Sequence, residues 1–445
     1  MRSLFEDVRG EENIFAAWRH VKRSALNSGS AEIKGMASEF EHTHQRQLRR
    51  IITQLREGRF TFDPVEGVLK DKQKRLAQGK DPRPIAIATL KNRVVQRAIL
   101  QVLQPRESRD LRDPEARYET KLDSRLGRIN DVNRSSYGVG GLIYPYGGVR
   151  PAIATIMQEI DAGAKFFYQS DIKSFFTKIP TAQVVDFVLH ETGDRLLADL
   201  FSRGLEVHLR NKEELKGYAA LFPDGGIGVA QGSSLSAFAG NVLLFELDHE
   251  LNDMGVRAVR YIDDILMVSR NEATLDAAVL HAESKLKNFG FGLYSPIDSP
   301  DKAARGKCSS AINFLGCTLQ PKRCTPSTAS VRRIKSDVVS GLSESKSAIK
   351  EAIRKGIPPS TKQSQSATLD AMSKKVYGWQ KSFSFCNDGR VFEQLDHFIA
   401  QQVLDYHGFI CRNIAKLDII AQMGILGVPS TKRMFQKSGG MSGST

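Results

Sequence analysis

The chain has 445 residues, enough for two or three subdomains that each bury a core. Its 41% hydrophobic content is ordinary for a globular protein, and with no apolar run of about 18 residues no membrane span is expected. Basic residues number 64 against 50 acidic, a net charge of +14, and such an excess is the footprint of a polyanionic partner.

Met1 to Arg23 mixes charged and apolar residues from the outset, so a secretory signal is not expected. The five cysteines, Cys308, Cys317, Cys324, Cys386 and Cys411, form no Cys-x-x-Cys pair. Neither a disulfide framework nor a zinc ribbon is expected, and the simplest setting is a reducing cytoplasm. His42 and His44 stand in a charged stretch without further ligands and read as surface residues.

From Asn13 to Glu57 the periodicity predicts helices, one starting at Phe15, Ala16 and Trp18, another through Leu48, Ile51, Ile52 and Leu55 and stopping near Gly58. Val68 to Pro84 is strongly basic. A helix follows through Val94, Val95, Ala98, Ile99 and Val102, ended by Pro105. Glu107 to Asn133, rich in Arg and Asp, reads as an insertion with little structure of its own, and Ser135 to Gly148 as a glycine and tyrosine loop. A helix from Pro151 to Ile160 leads into a strand, Lys165 to Ile172. Thr181 is a candidate N-cap for a helix carrying Val184, Val185, Val188 and Leu189.

After the loop at Gly225-Gly226, Leu235, Phe238, Val242 and Phe245 mark another helix. Val256 to Ser269 reads as two short strands around a tight turn, followed by a helix from Ala273 to Phe289 and strands at Phe291 to Tyr294 and Ile312 to Leu319. Beyond Pro326 the pattern turns helical, with Val331, Ile334, Val338 and Leu342 as a stripe beside Arg332, Arg333 and Lys335. Arg354 to Gln365 reads as a polar linker, Asp370 to Ile414 as a last helical unit, and Lys437 to Thr445 as a mobile tail. This mixed order of strands and helices, with helices gathered at the end, indicates an α+β class.

Three segments carry chemistry. Tyr261-Ile262-Asp263-Asp264 sits between apolar runs, so a tight hairpin would bring both carboxylates to one region, where they repel unless a cation lies between them. Alone, such a pair is more often a solvated turn than a metal site. Phe166 to Ile172 is an apolar strand with Asp171 at its end, and a third carboxylate there would suit magnesium, an oxygen-seeking ion bound through a few carboxylates and phosphates. Two such ions can stabilise in-line displacement at phosphorus. Gln231-Gly232-Ser233-Ser234-Leu235 opens a helix, where glycine permits close approach of a nucleotide and free N–H groups face phosphate; it reads equally as a loop capped by Ser233.

In this order the segments resemble the sequence blocks of reverse transcriptases. Arg83-Pro84-Ile85-Ala86-Ile87 and Arg93-Val94-Val95-Gln96-Arg97-Ala98 are similar to the fingers block of group II intron and bacterial members, and Ser136-Tyr137-Gly138 to the next. Asp171 to Phe176 resembles block A, Gln231 to Ser236 block B, Tyr261 to Asp264 block C, Phe291-Gly292-Leu293 with Lys302 block D, and Asn313-Phe314-Leu315-Gly316 the primer-gripping block E. The N-terminal region, and Gly378-Trp379 to Leu395-Asp396, also resemble the group II intron type, so the likeness covers nearly the whole chain.

The resemblance implies a right-hand polymerase fold, with fingers, a palm built on a small antiparallel sheet, and a helical thumb. The divisions it suggests are a helical extension over 1–66, fingers over 67–160 with the insertion 107–133, palm over 161–322, thumb over 323–436 and tail over 437–445. It implies that Asp171, Asp263 and Asp264, helped by the carbonyl of Ile172, bind two magnesium ions, replaceable by manganese. Arg83, with Lys70 or Lys80, would hold the triphosphate, Gln231 would line the nucleotide pocket, and Phe176 would exclude a ribose 2′-hydroxyl. Lys302 or Lys307 would protonate pyrophosphate. Tyr261, Phe314, Leu315, Gly316, Arg332 and Arg333 would contact primer and template. The implied partners are an RNA template, the DNA product, deoxynucleotides, and a further copy or a second effector protein, without a membrane.

Departures refine this. Val139-Gly140-Gly141-Leu142 replaces the usual glycine- and arginine-rich continuation after Ser-Tyr-Gly, Ser234 stands where block B usually has proline, and the insertion 107–133 is extra. No His-Asn-His endonuclease, RNase H or retron-type Asn-Ala-x-x-His segment is recognisable. The pattern is more similar to bacterial reverse transcriptases of phage defence, including the abortive-infection type, which would copy a dedicated non-coding RNA. Untemplated or protein-primed DNA synthesis would use the same metal centre. A non-catalytic, maturase-like RNA-binding protein would tolerate loss of the carboxylates, and an RNA-dependent RNA polymerase would carry a smaller or polar group in place of Phe176.

Overall fold

Apolar spacing sets the first helices. In the computed structural model, which describes residues 2–108, 112, 116–355, 360–415, 417–431 and 434, helices Glu11–Leu26 and Ala31–Arg56 face each other through Ile14, Trp18 and Val21 on one and Leu48, Ile52 and Leu55 on the other. Ser30 caps the second by accepting from the Ile33 N–H, and Gly58, at φ +68°, lies just past its end. Helix Leu90–Leu103 is buried on nearly every side, which its run of Val, Ile and Leu requires. The tail from Lys437 onward lies outside the described residues.

Two antiparallel sheets belong to the unit Met1–Cys308. β1 (Glu66–Lys70) and β2 (Arg83–Ile87) form a ribbon with Lys70 opposite Arg83. The larger sheet contains β3 (Phe166–Asp171), β4 (Arg257–Tyr261), β5 (Asp264–Ser269) and β6 (Ala303–Lys307), in the order β4-β5-β3-β6. β5, between two partners, is buried from Ile265 to Ser269, as a central strand under helices must be. Helix Ser236–Asp253 packs against β4 and helix Glu272–Asn288 against β3 and β5.

The unit Ser309–Thr445 has its own sheet, β7 (Ile312–Phe314), β8 (Cys317–Gln320) and β9 (Arg323–Pro326), in sequential order. Its core lies between helices Thr328–Lys355 and Arg390–Ile414, through Val338, Leu342, Ile349, Tyr406 and Ile410.

Several expectations shift. Phe291 to Tyr294 is not a strand: Leu293 makes only an isolated bridge to Ile172, and the edge strand is instead Ala303–Lys307. Asp370 to Ile414 divides into Gln365–Ser382 and Arg390–Ile414, and a further helix, Ile419–Leu426, follows. Thr181 is not the cap of its helix but its first residue, with its hydroxyl donating to the Gly226 carbonyl. Of the region 107–133, residues 109–111 and 113–115 lie outside the described residues; the rest has structure of its own, with Leu126, Ile129 and Val132 entering the core and Asn133 donating to the Leu103 carbonyl. The unit boundary at Cys308 places the sheet of β7 to β9 with the C-terminal helices. Among the described residues no helix is long and apolar enough to cross a membrane.

Candidate active site

β4 and β5 are joined by a two-residue turn, because Tyr261 pairs with Asp264 and leaves Ile262 and Asp263 between them. Ile262 has φ +63°, a left-handed conformation costly for a β-branched residue and tolerated only where surroundings hold it. β3 runs antiparallel to β5 in a register that sets Asp171 directly opposite Asp264. The Ile172 N–H donates to the Asp263 carbonyl at 2.7 Å, which ties the end of β3 to the turn. Three carboxylates from two sequence-distant segments therefore share one end of the sheet.

Their electrostatics follow from that crowding. Burial, a hydrogen bond with Asp171 and the charges of Asp171 and Asp263 push the Asp264 carboxyl up to about 8. Burial and the charge of Asp171 also raise Asp263. The Lys302 ammonium donates to Asp171; burial alone would lower its pKa, but the bond and charge of Asp171 outweigh this and the net displacement is upward. A cation is thus already drawn to the cluster.

The carboxylates line a cleft of about 790 Å³ together with Arg83, Phe176, Gln231 and Lys302. That volume suits a ligand the size of a nucleotide. Phe175 and Phe176 part company here: Phe175 is buried on Phe291 and would collide with any side chain at position 240, whereas Phe176 is half-buried, with its carbonyl accepting from the Val229 N–H at 2.7 Å. Gln231 precedes Gly232, at φ +103°, in the loop before helix Ser236–Asp253. Ser233 does not cap that helix at its N-cap position, which Leu235 holds; its hydroxyl accepts from the Leu235 N–H, and the Ser234 hydroxyl is buried without a partner.

The other predicted residues do not line the cleft. Lys70 and Lys80 are exposed and do not line the cleft, and Lys80 is paired with Asp301 at 2.8 Å. Tyr261 ends β4. Phe314, Leu315, Gly316, Arg332 and Arg333 belong to the other unit, where Leu315 and Gly316 (φ +48° and +80°) form the β7–β8 turn and Arg332 and Arg333 are exposed on helix Thr328–Lys355.

A buried support was not foreseen. Arg260, 1% exposed, donates to Asp248 from Nε at 2.9 Å and Nη2 at 2.5 Å, and from Nη1 to the Ile262 carbonyl at 2.9 Å and to Asn241. Asn241 in turn donates to the Gly140 carbonyl. The backbone of Tyr137 and Val139 bonds the two sides of Arg260. A Cβ at Gly138 would lie 2.4 Å from Asp248 and 2.6 Å from Arg260, and one at Gly140 would meet the Ile262 nitrogen at 2.5 Å. The glycines after Ser136-Tyr137 thus admit the ion pair and the strained turn. The available signal was an arginine inside an apolar strand, with Asn241 and Asp248 one heptad apart on a helix face.

No curated protein matches the chain. Among solved structures it is similar to a partial Cas6-RT-Cas1–Cas2 complex (19% identity, TM-score 0.36, covering 64% of this chain and 42% of that one). It is also similar to apo telomerase from Candida tropicalis truncated from its C-terminal domain (12% identity, TM-score 0.39, 60% and 55%). A third is telomerase from Candida albicans with a fragment of telomeric RNA (11% identity, TM-score 0.40, 82% and 64%). The chain spans less than two thirds of the length of each. Residues 70–319, more than half of the sequence and including all three carboxylates, match the family model for reverse transcriptase (RNA-dependent DNA polymerase), and the chain belongs to that family.

Proposed function

We propose that the chain is an RNA-directed DNA polymerase whose Asp171, Asp263 and Asp264, with the Ile172 carbonyl, hold two divalent cations, magnesium by preference and manganese as a substitute. The observation that carries this is the register that opposes Asp171 to Asp264 beside Asp263. The donor set fits: all are oxygens, they are acceptor-only when ionised, and their mutual repulsion already draws in an ammonium. Such ions supply activation of a primer 3′-hydroxyl and neutralisation of the departing pyrophosphate.

The chain's own residues do the rest. The Arg83 guanidinium, on the cleft wall, grips the triphosphate through paired N–H donors. The face of Phe176 fills the space a 2′-hydroxyl would need, favouring deoxynucleotides. Gln231 borders the base and sugar. Lys302, bonded to Asp171 in the free protein, would be the cleft's proton donor to the departing pyrophosphate once cations neutralised the carboxylates. Lys70 and Lys80 lie outside the cleft and add long-range attraction for the triphosphate, while Tyr261, the Phe314-Leu315-Gly316 segment, Arg332 and Arg333 serve primer and template.

An RNA partner is supported by a basic cluster around His20. Desolvation first, then the charges of Arg97, Arg106, Arg23 and Arg93, lower that imidazole's pKa, and it is the gathering of four guanidinium groups that a phosphate backbone would neutralise. We assign the template to a dedicated non-coding RNA and the setting to anti-phage defence in a reducing cytoplasm, on the resemblance to abortive-infection enzymes. Untemplated or protein-primed synthesis by the same site is the second reading.

The test is incorporation of labelled deoxynucleotides by purified chain with co-purifying RNA and magnesium. Asp263→Ala/Asp264→Ala should lower it by about a thousandfold or more. Equal rates for wild type and variant would overturn the polymerase reading, and product formed without RNA would select the untemplated one.

A further inference from the structure

The β7–β9 sheet brings together three thiols that sequence spacing kept apart. Cys317 and Leu319 share one face of β8, because side chains alternate. Cys324 on β9 is directly opposite Leu319, so it lies on that same face, diagonal to Cys317. The loop between helices Gln365–Ser382 and Arg390–Ile414 then lays Cys386 onto it. That loop is fixed to β9 by three bonds: the Asn387 N–H to the Cys324 carbonyl at 3.1 Å, the Cys324 N–H to Asn387 Oδ1 at 2.8 Å, and Asn387 Nδ2 to the Lys322 carbonyl at 3.1 Å. Asp388, next along, accepts from both Arg323 and Arg390 at 2.8 Å.

All three Sγ atoms lie within 4.8 Å of one another, and those of Cys324 and Cys386 are 3.7 Å apart. A tetrahedral zinc with Zn–S bonds of about 2.3 Å separates its sulfurs by about 3.8 Å. Cys317 and Cys324 are buried, while Cys386 is half-buried and the most accessible of the three. Buried thiols that merely pack as small hydrophobes need no common centre.

We propose that Cys317, Cys324 and Cys386 form a zinc site, with solvent or a small exogenous donor in the fourth position, that staples the β7–β9 sheet to the loop between the two C-terminal helices. On binding, three thiols give up three protons and the divalent ion gains three thiolate sulfurs. The donors are soft sulfur, so the site selects against magnesium. It stands independently of the polymerase reading.

The full chain, purified under reducing conditions without chelator, should carry close to one zinc per molecule by elemental analysis. Cys386→Ser should lower zinc retention by about tenfold or more, whereas Cys411→Ser, at an exposed thiol outside the cluster, should not. Wild-type chain stripped of metal and given cobalt(II) should show thiolate-to-cobalt charge-transfer absorption, a readout that does not depend on any variant folding. The proposal is overturned by zinc content unchanged in Cys386→Ser. It is equally overturned if metal and the charge-transfer band are both absent, whether all five thiols then react freely in denaturant or the mass is lower by two hydrogens and is restored by reductant, as a Cys324–Cys386 disulfide would give.

Discussion

The two units each hang a donor cluster beside a two-residue hairpin turn, and the supports differ. At Ile262-Asp263 the turn is strained and its neighbours are carboxylates, held by a buried arginine whose charge faces Asp248. At Leu315-Gly316 both turn residues are left-handed, φ +48° and +80°, and only the leucine bears a cost; Cys317 follows directly, and the loop carrying Cys386 is held by Asn387, which accepts from the Cys324 N–H, and by Asp388, which accepts from Arg323 at the rim. Charged donors that must accept and release ions during turnover call for rigid electrostatic support. Thiols with a structural task need only be brought close. On the two proposals made above, the difference is between a site that exchanges its cations and one that keeps its cation.

Breaking the charged support should cost the most. Arg260→Met leaves Asp248 buried and unpaired, which should lower the unfolding free energy in urea by about 3–5 kcal/mol. The double variant Arg260→Met/Asp248→Leu, with both charges gone, should recover most of that while nucleotide incorporation stays low, because the Ile262 carbonyl has lost its donor. A single-variant loss under about 1 kcal/mol, the range of an exposed pair, would mean that something else holds the turn.

The same contrast explains what could be read in advance. Asp171, Asp263 and Asp264 were legible because a strand end and a hairpin turn are short, contiguous patterns. The long stripe through Ile334, Val338 and Leu342 was legible because its helix repeats one face over many turns. Arg260 was not, since its partner lies on a different element and a charged residue in a strand reads as solvent-facing until tertiary packing buries it. The thiol cluster was hidden further: Cys324 and Cys386 are 62 residues apart and meet only after two helices fold back. Ala303–Lys307 failed as a strand by composition, yet an edge strand paired on one side tolerates exposed Arg and Lys. Leu126, Ile129 and Val132 carried a helical spacing that the surrounding arginines and aspartates obscured.

The carboxylate cluster should betray its ion exchange through pH. The Asp264 carboxyl is raised from 3.8 to about 8 in the metal-free fold, so between those values the folded state holds more protons than the unfolded chain. Stability of metal-free protein should therefore fall as pH rises through that window. Magnesium replaces the lost protons, so the melting-temperature gain it gives should grow from pH 5 to pH 8 and then level off. At a hundredfold excess over its dissociation constant the gain corresponds to about 2.7 kcal/mol. Asp264→Asn should remove the larger share of the pH-dependent part and leave what the raised Asp263 contributes. A gain that is flat with pH, or persists undiminished in Asp264→Asn, would place the magnesium elsewhere.

The thiol cluster should answer to the smallest change. Asn387→Ala removes one acceptor for the Cys324 N–H and one donor to the Lys322 carbonyl, each a neutral bond worth about 1 kcal/mol net. The expected cost in urea unfolding is about 1–2 kcal/mol, below that of Arg260→Met. Because the bonded loop is what presents Cys386, the variant should also release zinc to a chelator about ten to a hundred times more readily, as loss of a positioning partner does at other metal sites. Magnesium-dependent incorporation should not change its cation requirement, since the carboxylates keep their own support. If Asn387→Ala instead shifted the magnesium dependence while leaving zinc release untouched, the division of labour between the two clusters would be wrong.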